Sequence, residues 1–88
     1  MGGQIKDSLV SLRNLCIRIF DYMLTEANID NEKRLAKELI DILIKQKNFT
    51  DEQKNKLNAL RIAIDKNDRR MIGVVLTDFD TSFGIKPK

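Results

Sequence analysis

The stretch IKDSLVSLRNLCIRIFDYMLTEA, residues 5–27, decides the fold class. Its apolar residues Ile5, Leu9, Leu12, Cys16, Ile19, Met23 and Ala27 alternate steps of four and three. That spacing lines one face of an α-helix, whereas a half-buried strand repeats every two residues. A second set, Val10, Ile17 and Leu24, joined by Leu15 and Phe20, widens the stripe beyond a coiled-coil seam. The reading is a helix over 5–27, buried against neighbours on two sides and central to the fold.

Downstream, residues 28–31 break the pattern with Asn28, Asp30 and Asn31. Asp30 or Asn31 can accept the free amide protons of a new helix over 31–45. Its apolar positions are Leu35, Leu39, Ile42 and Leu43, flanked by Ala36, Ile40 and Ile44. Then comes Phe49-Thr50-Asp51-Glu52-Gln53. Thr50 followed three residues later by Gln53 is a capping box, and two acids in the first turn suit the positive end of the helix dipole. A helix over 51–65 follows, with Leu57, Leu60 and Ile64 on its face and Ala63 and Ile62 beside them.

Residues 68–80 contain the β-rich run Met71-Ile72-Gly73-Val74-Val75-Leu76. No other segment offers a strand a partner, while Ile72, Val75, Leu76 and Phe79 share a helical face behind Asp68 as cap. This segment is read as a fourth helix, and 81–88 as a frayed tail. The predicted core is Leu12, Cys16, Ile19, Leu39, Leu43, Leu57, Leu60 and Ile64. The chain is therefore expected to be all-α: one domain over 1–88, a small antiparallel up-and-down bundle of three to four helices joined by short loops.

Composition agrees with one folded core: 88 residues, 42% hydrophobic and 33% charged, with four Gly and one Pro. Sixteen basic against thirteen acidic residues leave +3, with the two signs interleaved along the chain. Dedicated nucleic-acid binders concentrate their basic charge, so weak nucleic-acid binding ranks third among functions here. Arg69 and Arg70 with Lys66, Arg61 and Lys54 read as solvated side chains, because no aromatic is interleaved for base stacking.

The chain has no His and a single Cys16 in apolar surroundings. Zinc sites, an activated thiol and an internal disulfide are all disfavoured, and no cofactor is expected. The carboxylates Asp65, Asp68, Asp78 and Asp80 sit at helix ends, where acids serve as caps and turn residues. The chain is expected not to be an enzyme. No apolar run reaches the roughly 20 residues that span a bilayer; a cytoplasmic location is expected, with a protein as the leading partner. The candidate contact residues are Phe83, Ile85, Arg69, Arg70 and Lys66. Phe83 either folds back over the bundle end or, with Ile85, forms an exposed partner anchor flanked by Lys86 and Lys88.

The spacing Leu60, Ala63-Ile64, Asp68, Ile72, Val75, Asp78-Phe79, preceded by Glu32-Lys33-Arg34-Leu35, resembles a known helical module. It is shared by the steroid receptor RNA activator protein and the carboxy-terminal domain of the outer COPII coat scaffold. The resemblance implies a scaffold or protein-interaction role, with Lys33-Arg34 opening a helix and Asp68 at a hairpin turn. Ile72 stands where that family carries a small residue, and the chain has no Trp for the family's closing helix. A second likeness, on Phe49-Thr50, Gln53, Leu60 and the stretch from Asp78-Phe79 to Phe83, is to pediocin-type bacteriocin immunity proteins. It implies a cytosolic four-helix bundle acting on a membrane receptor complex.

Overall fold

The computed structural model describes residues 2–25 and 28–85, with side chains from Ile5 onward. Four helices run in sequence, α1 (Gly2–Tyr22), α2 (Asp30–Ile44), α3 (Asp51–Asp65) and α4 (Arg69–Thr77), followed by a single turn α5 (Phe79–Ser82). Each helix packs on its sequence neighbour and α4 closes the ring onto α1. The result is an antiparallel all-α bundle, with no strand among the described residues.

Fifteen apolar side chains form one core, and no polar or charged side chain among the described residues is buried with them. Seven of the eight predicted core residues are in it. Leu39 is the exception, half-buried at its edge. The inward face of α2 is Ala36, Ile40 and Leu43, rotated from the predicted Leu35, Leu39 and Ile42. Seven apolar residues on one helix leave two overlapping faces open, and the ion pairs with α3 accompany the one that is buried. Lys37 reaches Asp65 at 3.2 Å and Arg61 reaches Asp41 at 2.8 Å, turning the Lys37/Asp41 edge toward α3.

The capping box forms: Thr50 Oγ1 accepts from the Gln53 amide and Gln53 Oε1 accepts from the Thr50 amide, at 3.1 and 2.9 Å. The expected cap of α2 differs. Ile29 occupies the cap position without a side-chain bond, and Asn28 Oδ1 accepts from the Asp30 amide instead. Between α3 and α4 no residue is spare. Asn67 takes a left-handed conformation (φ 56°), its amide and that of Asp68 donate to Ile64 and Ala63 carbonyls, and the Asp68 carboxylate then caps α4 at Met71. Asn tolerates that backbone better than most residues, which makes this a Schellman stop with Asn in place of Gly.

Three expectations need correction. The first helix ends at Tyr22, with Met23–Thr25 in a turn, while Glu26 and Ala27 lie outside the described residues. Leu24 is therefore 68% exposed, and Ile17 also faces outward, so the widened stripe is not buried throughout. The fourth helix does not run unbroken through 68–80; it pauses at Asp78. The tail does not fray at 81. Gly84 (φ 67°) reverses the chain, the Ile85 amide donates to the Asp80 carbonyl at 2.8 Å, and Ile85 drops into the core at 6% exposure. Residues 86–88 lie outside the described residues.

Candidate interaction surface

The predicted contact residues do not form one surface. Ile85 is buried and Phe83 is half-buried, its ring tilted 42° against Phe79 with centroids 4.7 Å apart and edge-on to Phe49 at 5.6 Å. This pair closes the lower end of the bundle: Ile85 is not an exposed anchor, and Phe83 folds back over the bundle end while staying partly exposed. The reason is the Schellman reversal at Gly84, which favours an apolar residue one position later, where Ile85 stands.

Polar contacts fix the same tail. Lys56 Nζ reaches Asp78 Oδ2 at 2.7 Å and Ser82 Oγ at 2.8 Å, and Gln53 Nε2 donates to the Ser82 carbonyl at 2.8 Å. Gln53 thus serves the capping box with its oxygen and the tail with its nitrogen. Arg13 grips Asp80 from α1. Of the four carboxylates read as caps and turn residues, only Asp68 caps through its side chain; Asp65, Asp78 and Asp80 pair with bases on other helices. The hydrogen bond from Lys37 holds the Asp65 carboxyl below its ordinary range, and that from Lys56 does the same for Asp78.

Arg69 is structural. Its guanidinium lies 3.7 Å over the centre of the Phe20 ring and its Nε donates to the Phe20 carbonyl at 2.9 Å. Because α1 stops at Tyr22, that carbonyl lacks its helical partner, and a cation at the negative helix end satisfies it. Arg61 faces α2 while Arg69 faces α1, so the basic residues do not converge. Lys66 and Arg70 remain exposed.

A cleft of about 610 Å³ at the upper end is bordered by Met23, Ile29, Asp30, Lys33 and Arg69. Its basic groups are already engaged: Lys33 donates to Asn67 Oδ1 at 2.6 Å and Arg69 to Phe20.

The surface that sequence reasoning missed is the edge of α2 displaced from the core. Leu35 is 38% exposed and Ile42 57%, with half-buried Leu39 between them at helical spacing. A smaller cleft of about 170 Å³, lined by Ile5, Ser8, Ile42, Leu43 and Gln46, puts this edge beside α1 and fixes the antiparallel register. In that register Leu15 stands level with Leu35. The two helices therefore border a shallow valley with an apolar floor. Charged residues of both signs stand beside it: Arg18 and Asp7 on one stripe of α1, and Glu32, Glu38 and Lys45 next to the apolar edge of α2. Its signal was present in the sequence: α2 carries more apolar residues than one inward face can hold.

Compared with known protein families, characterised proteins and solved structures, the chain matches none.

Proposed function

We propose that this chain is a non-catalytic recognition module that binds a protein partner along the valley between α1 and α2. The observation that carries this reading is the continuity of Leu35, Leu39 and Ile42 along one helix edge. Single exposed apolar residues are ordinary; a contiguous set bordered by charge is characteristic of a binding surface. Elsewhere exposed apolar residues occur singly or in pairs, as with Ile17 and Leu24 or Met71 and Val74. On α4, Arg69 and Gly73 face α1 and Asp78 faces Lys56 on α3, which leaves Val74 outward beside exposed Met71, a pair without a third member. The titratable groups support the same view. Asp41, Asp65, Asp78 and Asp80 are held in ion pairs between helices, and burial pushes the Cys16 thiol up to about 12, where it is a poor nucleophile at neutral pH. No helix among the described residues is long and apolar enough to cross a membrane.

The test is affinity capture from the source cells with the intact chain and with Leu35→Gln/Ile42→Gln. A saturable protein partner lost with the double variant supports the reading, and a partner retained by it contradicts the reading.

The immunity-type reading is favoured by one specific observation. Phe49, Thr50, Gln53, Phe79 and Phe83, on which that likeness rests, meet at the lower end of the bundle through ring contacts and the Gln53 bonds. A bacteriocin gene beside the source gene would support it, and a eukaryotic source would remove it. Lys33 and Arg34, which with Glu32 and Leu35 open the likeness to the coat-scaffold module, lie on α2.

A further inference from the structure

We infer that residues 80–85 form a latch that opens on its own, pivoting after Phe79, while the four-helix bundle stays folded. This goes beyond the recognition reading above and does not depend on it. The backbone of the latch is bonded to itself and to the turn before it. Ile85 donates its amide to the Asp80 carbonyl, Gly84 to Thr81, Phe83 to Phe79 and Ser82 to Asp78. Among the described residues no backbone hydrogen bond joins 80–85 to α1, α2 or α3. Side chains make the polar links to those helices: Arg13 to Asp80, Gln53 to the Ser82 carbonyl and Lys56 to the Ser82 hydroxyl.

Opening strands none of these three side chains. Gln53 keeps its bonds with Thr50 in the capping box, and Lys56 keeps Asp78 at 2.7 Å. Arg13 loses Asp80, but its Nε, buried without a partner while the latch is closed, gains access to water. Both ends of the Arg13–Asp80 pair are already partly exposed, at 27% and 30%, so that pair adds little to closure.

Apolar burial sets where the pivot lies. Phe79 is wholly buried, and withdrawing it would open a large hole in a core of fifteen side chains, so it stays with the bundle. Beyond it only Ile85 is buried, and Phe83 is half-buried before the latch moves. Once released, a single turn has no stability of its own in water, so its amides become free to exchange. The latch therefore belongs to the low-stability end of the structure, apart from the helices that pack on one another.

The test is hydrogen exchange on the intact chain, followed by NMR in urea below the unfolding midpoint. The Phe83 and Ile85 amides are expected to show protection on the order of a hundredfold, which matches one aliphatic side chain and part of a ring returned to water, with little response to urea. The amides of Cys16, Ile40 and Leu60 are expected to be protected at least about tenfold more and to lose that protection steeply with urea, because they exchange through global unfolding. Equal protection and equal urea dependence in the two sets would overturn the inference, since the tail would then open only with the bundle. An Ile85 amide without protection would overturn it as well, since there would be no closed state. A thiol probe gives a second reading against the buried native Cys16. In Ile85→Cys the introduced thiol is expected to react with a disulfide reagent at least about tenfold faster than Cys16, with little response to urea. An introduced thiol as slow as Cys16 would contradict a latch that opens alone.

Discussion

Arg13 on α1 and Asp80 on α5 are 67 residues apart in the chain, yet Nη1 of Arg13 lies 3.1 and 2.9 Å from the two carboxylate oxygens of Asp80. Both side chains are about a quarter to a third exposed, at 27% and 30%. One guanidinium nitrogen makes both contacts, and Arg13 Nε is buried without a partner. A buried donor left unbonded offsets much of what the pair contributes, and partly exposed pairs contribute only about 0.2–1 kcal/mol.

The two partners are therefore not equivalent to remove. Asp80→Ala leaves the guanidinium against the core edge with nothing to accept its protons, whereas Arg13→Met removes the unbonded Nε along with the charge and keeps apolar contact. Urea denaturation is expected to place Asp80→Ala about 1 kcal/mol below Arg13→Met. Equal losses, or a greater loss in Arg13→Met, would show that the pair is the whole of the interaction.

Truncation after Thr81 removes Ser82, half-buried Phe83 and buried Ile85 together. The expected loss is about 3 kcal/mol, from apolar area returned to water. A loss below about 1 kcal/mol would mean that the tail packs on the bundle without stabilising it.

Gly73 on α4 faces Phe20, and a Cβ there would come within 2.9 Å of the ring. Alanine would gain about 1 kcal/mol of helix propensity, but overpacking typically costs about 1–3 kcal/mol. The Phe20 ring lies under the Arg69 guanidinium and has little freedom to yield. Gly73→Ala is expected to lower stability by about 1 kcal/mol, recovered when Phe20→Leu makes room. A stabilised Gly73→Ala would mean that the ring moves freely.

Asp65 and Asp78, held below the ordinary value of 3.8 by Lys37 and Lys56, contribute to the acid limb of stability. Their folded values are lower than their unfolded ones, so the contribution is present above 3.8 and is lost as the pH falls through the folded values. The urea midpoint is expected to be level from about pH 5 to 7 and to fall below about pH 4. Lys56→Met should flatten part of that fall. An acid limb unchanged in Lys56→Met would remove Asp78 from the account.

Much of this fold was legible in the sequence, and the exceptions have physical causes. Thr50, Gln53 and Asp68 announce their helices because capping depends on a few neighbouring residues. The face of α2 was misread because Leu35, Leu39, Ile42 and Leu43 score as well as Ala36, Ile40 and Leu43 by periodicity. The second set goes with contacts that local periodicity does not contain, those of Lys37 and Asp41 with residues 28 and 20 positions away. The same misreading hid the candidate site, since residues assigned to the core cannot also be a surface. Tail docking was readable in part from Gly84 followed by Ile85, but its partners Arg13, Gln53 and Lys56 are distant in sequence.

The measurement that bears most directly on the recognition account pairs stability with capture for Leu35→Gln/Ile42→Gln. If these side chains form a free binding edge, the double variant should keep its helical circular dichroism and lose less than about 1 kcal/mol, as exposed positions do, while the protein partner captured by the intact chain disappears. A loss of several kcal/mol would return Leu35 and Ile42 to the core, and a stable variant that still captures the same partner would place recognition on another face.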